Sequence, residues 1–599
     1  MGKNKLAYKN TYDTIKSHTD TKPKEEFNFR LVALIGFIVS FLLLVFSYYY
    51  FGSFFETNDD PRYVMAMKGF ASPLPFDNFV TLYQFTSKLY IWLYQHYANI
   101  AWYGLSMFFM LWGTLFNIFL SFYLLAKNII HFLLIVGIFV SFFFLIFFQN
   151  VYLINFTRPS LLATGSFIIL LSVLYLNENI LSQNKWVLLI PILTYIFAHL
   201  TRLDAGYLGF VFGIGFSIVF LYKQKSISPF LLKYMLPVLC FIILIKIANT
   251  VSIKIDKKNV EFIEKTETLR QLIDYKNAAA YVPKDAKDTV AYDALISFRW
   301  CNDNSVISLN FIKKLLRKSP LLKSGNQTKF NSEFDTFKQS LGADNISLKM
   351  INICLFILML IWFITAIKNN TFVFVQFLLF ELFFAGIIVG MCYYMKLPER
   401  IFHPLLVLLS VGNILFVFSK IKFDKNNMYY FTLAPMLLLV LSSISKNLEA
   451  NKIELTKYQI YGEVNQSLFD DINSRFKNTI FIPTVLRSWE THKATDPINE
   501  ITFKNNNSYV YLSIELCLAP ETEDQLITKF GTKDHALLFK KISEMDNVFF
   551  ISDANYLIYL QDYYHTLYNQ EYIFEKVSET LPPFYSRSKL NYYRLKKAQ

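Results

Sequence analysis

Long apolar runs separated by short basic turns dominate the chain. Residues 1–30 are polar, and the first run, Leu31 to Phe51, is too long for a signal-peptide core and lacks a small-residue cleavage pattern. It predicts an uncleaved first span. Further runs near 101–126, 129–148, 161–176, 186–200, 205–222, 229–250, 349–367, 371–394, 401–419 and 428–445 approach or exceed the ~20 residues that a bilayer crossing needs. The pattern predicts a polytopic α-helical membrane protein with about eleven spans over 31–445. Basic residues set the orientation: Lys3, Lys5, Lys9, Lys16, Lys22, Lys24 and Arg30 precede the first span. Counting from a cytoplasmic N-terminus, Lys127, Lys185, Lys223, Lys225, Lys368, Lys420, Lys422 and Lys425 all fall inside. The segments 52–100, 149–160, 201–204, 251–348, 395–400 and 446–599 then face outward.

Two of the outer segments are long enough to fold. Residues 251–348 are charged and helix-like, as in Glu261 to Tyr275, and form an external insertion. Residues 446–599 carry strand-like runs at Thr479–Val485, Tyr509–Glu515, Val548–Ile551 and Leu557–Leu560, with amphipathic stretches between them. They predict an external C-terminal α/β domain. In the first outer loop, Leu82, Phe85, Leu89, Leu93 and His96 recur at helical spacing among aromatics, which predicts an interfacial helix over 81–97.

Composition narrows the class. At 54% hydrophobic and 17% charged, the chain is neither disordered nor an ordinary soluble enzyme. The formal net charge of +14 is assigned to loops facing anionic membrane lipids, and no nucleic-acid partner is expected. Of five cysteines, Cys240, Cys354 and Cys392 lie in apolar runs, while Cys301 and Cys517 stand far apart, so no zinc or iron–sulfur spacing is present.

Candidate chemistry gathers on the outer side. Directly after the first span comes Glu56-Thr-Asn-Asp59-Asp60-Pro61-Arg62-Tyr63, running on to Lys68 and Gly69. Asp60 before Pro61 reads as a helix N-cap. Asp59 has no capping role, and it is either a solvated loop charge or a base whose proton affinity is raised by the neighbouring carboxylate. Arg158, Arg202 with Asp204, and Lys396 with Glu399 and Arg400 sit at outer ends of spans. Singly, each reads as a snorkelling or paired cation, but together, on the face that carries Asp59, they suit a lipid phosphate. His199 and His403 read as packing residues, and Glu381, deep in an apolar run, marks the interior of the bundle.

The run Asp59-Asp60-Pro61-Arg62-Tyr63 resembles the Asp-Glu-x-Arg-Tyr pattern that follows the first span in the GT-C superfamily, which includes aminoarabinose transferases and protein O-mannosyltransferases. The resemblance implies a membrane glycosyltransferase that moves a sugar, with inversion, from a polyprenyl-phosphate-linked donor to a lipid, glycan or protein acceptor on the outer face of the cytoplasmic membrane. It implies Asp59 as the catalytic aspartate and Arg62 as the arginine near the donor phosphate. Asp60 stands where the pattern has glutamate, which leaves open a second acid or a divalent metal contact; no other cofactor is implied. Arg158, Arg202, Lys396 and Arg400 are assigned to the donor phosphate on charge and topology alone. Two other classes fit the same topology: a transporter or flippase of lipid-linked saccharide, for which Glu381 speaks, and a non-catalytic envelope assembly subunit acting through its tail.

Overall fold

The structure is a computed structural model, and it describes residues 29–56, 59–69, 79, 82–126, 129–222, 225–255, 257–275, 281–296, 303–319, 371–394, 397–420, 466–483, 495–500, 506–510, 520–579 and 591–598, with isolated positions elsewhere. The expected spans at 349–367 and 428–445, and Lys396, lie outside these stretches.

Among the described residues, seven helices are long and apolar enough to cross a membrane: Phe29–Phe51, Trp102–Tyr123, Thr157–Leu176, Leu203–Leu221, Ile227–Ile255, Val375–Tyr393 and Glu399–Val417. Two shorter apolar helices, Ile135–Phe147 and Lys185–Thr201, correspond to expected runs. The outer members of the bundle turn large apolar side chains outward, among them Leu31, Phe41 and Leu42 of the first helix, Leu232 and Leu244 of the fifth and Leu382 of the sixth. Such surfaces are tolerable only in an apolar solvent, so the protein is a helical membrane protein.

Helix Thr157–Leu176 is the hub, buried along nearly its whole length. Leu203–Leu221 presses against it through Gly209, where an added Cβ would lie 2.4 Å from the Leu161 carbonyl oxygen. A buried Ser172–Ser217 hydrogen bond of 2.5 Å ties the same two helices. Small residues and hydroxyl pairs hold helices together where lipid removes the hydrophobic incentive.

Just beyond the first span, β1 (Phe54–Phe55) runs parallel to β2 (Leu153–Ile154), pairing Phe54 with Leu153 and Phe55 with Ile154. This short ladder carries the segment after the first apolar helix to the start of the hub helix. A helix is present in the expected stretch, over Gln84–His96.

The C-terminal residues form a five-stranded mixed sheet of order β4-β3-β5-β7-β6, from β3 (Ile480–Pro483), β4 (Ser508–Tyr509), β5 (Val548–Ser552), β6 (Tyr572–Glu579) and β7 (Asn591–Lys597). Strand β3 is parallel to β4 and β5, and β7 is antiparallel to β5 and β6. One expectation is overturned: Leu557–Leu560 belongs to helix Ala554–Tyr568. Asp553 caps that helix by accepting from the Tyr556 amide at 2.9 Å, and Leu557, Leu560 and Tyr564 bury one helical face. The insertion forms helices Lys257–Tyr275, Ala286–Ile296 and Leu309–Lys318. It joins the C-terminal unit at Asp303, which is buried and accepts from Tyr563 at 2.8 Å and from Tyr568. Burial, reinforced by that carboxylate, pushes the Tyr563 hydroxyl well above its ordinary range, so it stays a donor.

Candidate active site

The acidic pair opens helix Asp59–Met67, at the positive end of its dipole. Asp60 is not a local N-cap. Its carboxylate is fully buried and accepts from the Tyr103 hydroxyl at 2.9 Å, the Asn155 amide at 3.1 Å and the Phe156 backbone N–H at 3.2 Å. Tertiary donors from two other segments have displaced the capping role. The result is a helix clamped between Trp102–Tyr123 and the start of Thr157–Leu176. Asp59, one residue earlier, keeps intermediate exposure. Arg62 is buried on the same helix, and Tyr63 packs against Phe79 at 4.6 Å and Phe156 at 5.8 Å between ring centroids.

The expected phosphate-binding cations separate into different situations. Arg158 is fully buried, and its Nε and a terminal nitrogen donate at 2.8 Å each to the two oxygens of Glu56. A third contact reaches Asn150 Oδ1 at 3.4 Å, and Glu399 lies 4.0 Å away. This bidentate pair locks the end of β1 to the hub helix and satisfies much of the guanidinium. Glu399 in turn accepts from Gln149 at 2.7 Å, and Arg400 follows it, partly exposed, in the first turn of helix Glu399–Lys420. Arg202 places its guanidinium 4.5 Å from the centroid of the Phe156 ring. Since the Phe156 amide is held by Asp60, Arg202 and the acidic helix flank one residue. The structure thus brings Asp60 and Arg202 together at Phe156, with Asp59, Arg62 and Tyr63 on the helix of Asp60, and pairs Arg158 with Glu56 two residues further along. His403 and His199 are buried, and neither ring has a hydrogen-bond partner among the described residues.

The sequence reading missed a strap that crosses this region. The Thr495 carbonyl accepts from the Phe55 amide at 3.0 Å, and Tyr48 donates to Asp496 at 3.0 Å. Gly104 meets the Pro497 carbonyl so closely that an added Cβ would sit 1.8 Å from its oxygen; only glycine fits there. Glu500 is ion-paired with Lys68 at 2.5 Å and accepts from Tyr94 at 2.7 Å, with both charged side chains almost fully buried. Burial pushes the Glu500 carboxyl above its usual range although Lys68 and Tyr94 pull it down. In sequence, Thr495–Glu500 reads as an ordinary polar turn, with no periodicity or motif to flag it.

Among the described residues, no three His, Cys, Asp or Glu side chains converge as a metal site. Fold and site together define a helical membrane protein with a buried, charge-dense centre where the segment after its first apolar helix meets its hub helix. No family model, curated protein or solved structure matches the chain.

Proposed function

We propose that the protein is an integral-membrane glycosyltransferase of the GT-C kind, with about eleven spans, a cytoplasmic N-terminus, and its site and C-terminal α/β domain outside the cytoplasmic membrane. The observation that carries this reading is the division of labour in the acidic pair. Asp60 is spent on three hydrogen bonds that fix the helix, and Asp59 remains partly exposed on the helix's first turn. Asp59 takes the proton of an acceptor hydroxyl as that oxygen bonds to the anomeric carbon of the donor sugar. The bond between that carbon and the lipid-phosphate oxygen breaks on the opposite face, giving inversion, and the phosphate leaves with the electron pair. Arg62, Arg202 and Arg400 stabilise the charge that develops there, with Lys396 assigned to the same role by sequence. Arg158, already bound to Glu56, serves first to hold the loop. A metal at the pair is not required by these steps.

The test is mass spectrometry of polyprenyl-phosphate sugars and envelope glycans in cells with wild type, a deletion, or Asp59→Asn. The expected result is that both mutants lose one sugar from a glycan and accumulate its lipid donor. A deletion phenotype absent from Asp59→Asn cells would sink the catalytic assignment. The flippase alternative rests on Glu381, yet Asn413 donates to that carboxylate at 2.9 Å, a polar tie between two apolar helices. Translocation in sealed vesicles without bond formation would favour the flippase.

A further inference from the structure

A cleft of about 250 Å³ opens beside the acidic helix, between the first outer loop, the start of helix Leu203–Leu221, the end of Ile227–Ile255 and the insertion helix Lys257–Tyr275. Its apolar lining includes Phe79, Leu82, Tyr83 and Phe262, all largely buried, and its mouth carries the exposed Asp204, Lys246 and Glu267. We propose that this cleft is the acceptor subsite of the transferase and that it takes a glycan, one or more pyranose-type rings, rather than the donor lipid's headgroup. The inference rests on the transferase reading and adds the acceptor class to it.

Four observations converge. The first is charge: among the charged residues lining the cleft, two carboxylates, Asp204 and Glu267, stand against one lysine, Lys246, which disfavours a phosphate. The second is the pairing of surfaces. Aromatic rings offer a face to the C–H side of a sugar ring, and Asn249, Thr250, Asp204 and Glu267 offer donors and acceptors to its hydroxyls. Part of this polar set is pre-positioned: the Gln84 amide N–H donates to Asn249 Oδ1 at 3.4 Å, and Ser252 donates to Gln84 Oε1.

The third is an unpaired hydroxyl on a residue of the cleft wall. Tyr83 lines the cleft at 6% exposure, and its buried hydroxyl has no partner among the described residues. A buried hydroxyl left unsatisfied is costly, and a rotation of this ring that brings the oxygen to the cleft surface would let a ligand hydroxyl pair with it. The fourth is proximity to the chemistry. The cleft wall Phe79 packs at 4.6 Å between ring centroids against Tyr63, three residues after Asp60, and Tyr63 meets the Phe156 ring that Arg202 covers. An acceptor in the cleft is therefore two ring contacts from Phe156, whose backbone amide donates to Asp60. The volume suits a short saccharide and is too small for a polyprenyl lipid with its headgroup.

The experiment is saturation-transfer NMR on the full-length protein in nanodiscs with methyl glycosides of glucose, galactose, mannose, N-acetylglucosamine and xylose. The expected result is transfer to the ring C–H protons of at least one glycoside. Asn249→Leu and Glu267→Ala should each weaken that binding by about tenfold, the worth of one hydrogen bond. Both positions are at least partly exposed, so the variants test the cleft without emptying the core. Absence of transfer from every glycoside, indifference to both substitutions, or displacement of a bound glycoside by dodecyl phosphate would each overturn the proposal. Asp59→Asn separates the two readings. Glycoside binding retained in that variant with transfer abolished supports both; binding lost to the cleft variants while Asp59→Asn still transfers sugar leaves the subsite standing and removes the catalytic assignment. Asp59-dependent transfer with no glycoside binding leaves the catalytic assignment standing and refutes the subsite.

Discussion

Replacing Lys68 by Met tests whether the strap at 495–500 is held by a true buried ion pair. The ammonium sits 2.5 Å from Glu500, and the two side chains are 7% and 4% exposed, so its removal leaves a carboxylate with little water and only the Tyr94 hydroxyl as donor. Breaking a buried pair from one side costs about 3–5 kcal/mol, which corresponds to a roughly hundredfold to few-thousandfold rise in opening of the strap. Hydrogen–deuterium exchange reads this directly, because the Phe55 amide donates to the Thr495 carbonyl across the docked contact. The pH dependence follows from the raised carboxyl. A group that binds its proton more tightly when folded contributes stability at low pH and loses it as pH rises through the folded value. Without Lys68 the carboxyl rises further. Lys68→Met should therefore be milder at low pH, where the raised carboxyl takes up its proton, and more severe at higher pH, where it is ionised. Lys68→Met with Glu500→Gln should recover most protection and flatten the pH profile, since the glutamine still accepts from Tyr94. Less than tenfold loss of protection for Lys68→Met at the higher pH would place the pair among solvated ones worth about 0–1 kcal/mol and refute the reasoning.

Three further outcomes follow from the site. Asp60→Ala orphans three buried donors, each worth about 1–3 kcal/mol, and should collapse the yield of folded protein in detergent; a thermal midpoint equal to wild type would contradict the clamp. Arg158→Lys keeps the charge but cannot reproduce the two parallel bonds to Glu56, so its thermal midpoint should fall well below wild type, and an unchanged midpoint would count against the bidentate lock. Arg400→Ala should weaken binding of a polyprenyl phosphate while leaving the fold intact; unchanged affinity and rate would reduce Arg400 to a lipid anchor.

Much of the architecture was legible from pattern. Runs such as Leu31–Phe51 and 101–126 announce helices because apolar length alone decides insertion. Val548–Ile551 announces a strand because every residue in it is apolar and buried. Strands β6 and β7 escape notice because they form an edge hairpin with charges such as Glu575 and Lys596 on its open side, which breaks the apolar signal. Leu557–Leu560 reads as a strand because four apolar-leaning residues fit either period until the Asp553 cap and the buried helical face are seen.

At the site, the adjacency of Asp59 and Asp60 and the cations at the span ends were visible as one-dimensional facts. What holds Asp60 was not. Asp60 is committed because Tyr103, Asn155 and Phe156, from distant parts of the chain, converge on it. The pairing of Arg158 with Glu56 and the meeting of Tyr94 with Glu500, 406 residues apart, likewise have no local signature. Apolar periodicity is a property of neighbours along the chain, and it announced the long apolar helices among the described residues and the strands β3 and β5. The choice of partner for each buried charge depends on which groups the packed helices bring within about 3 Å, and only the tertiary structure decided that.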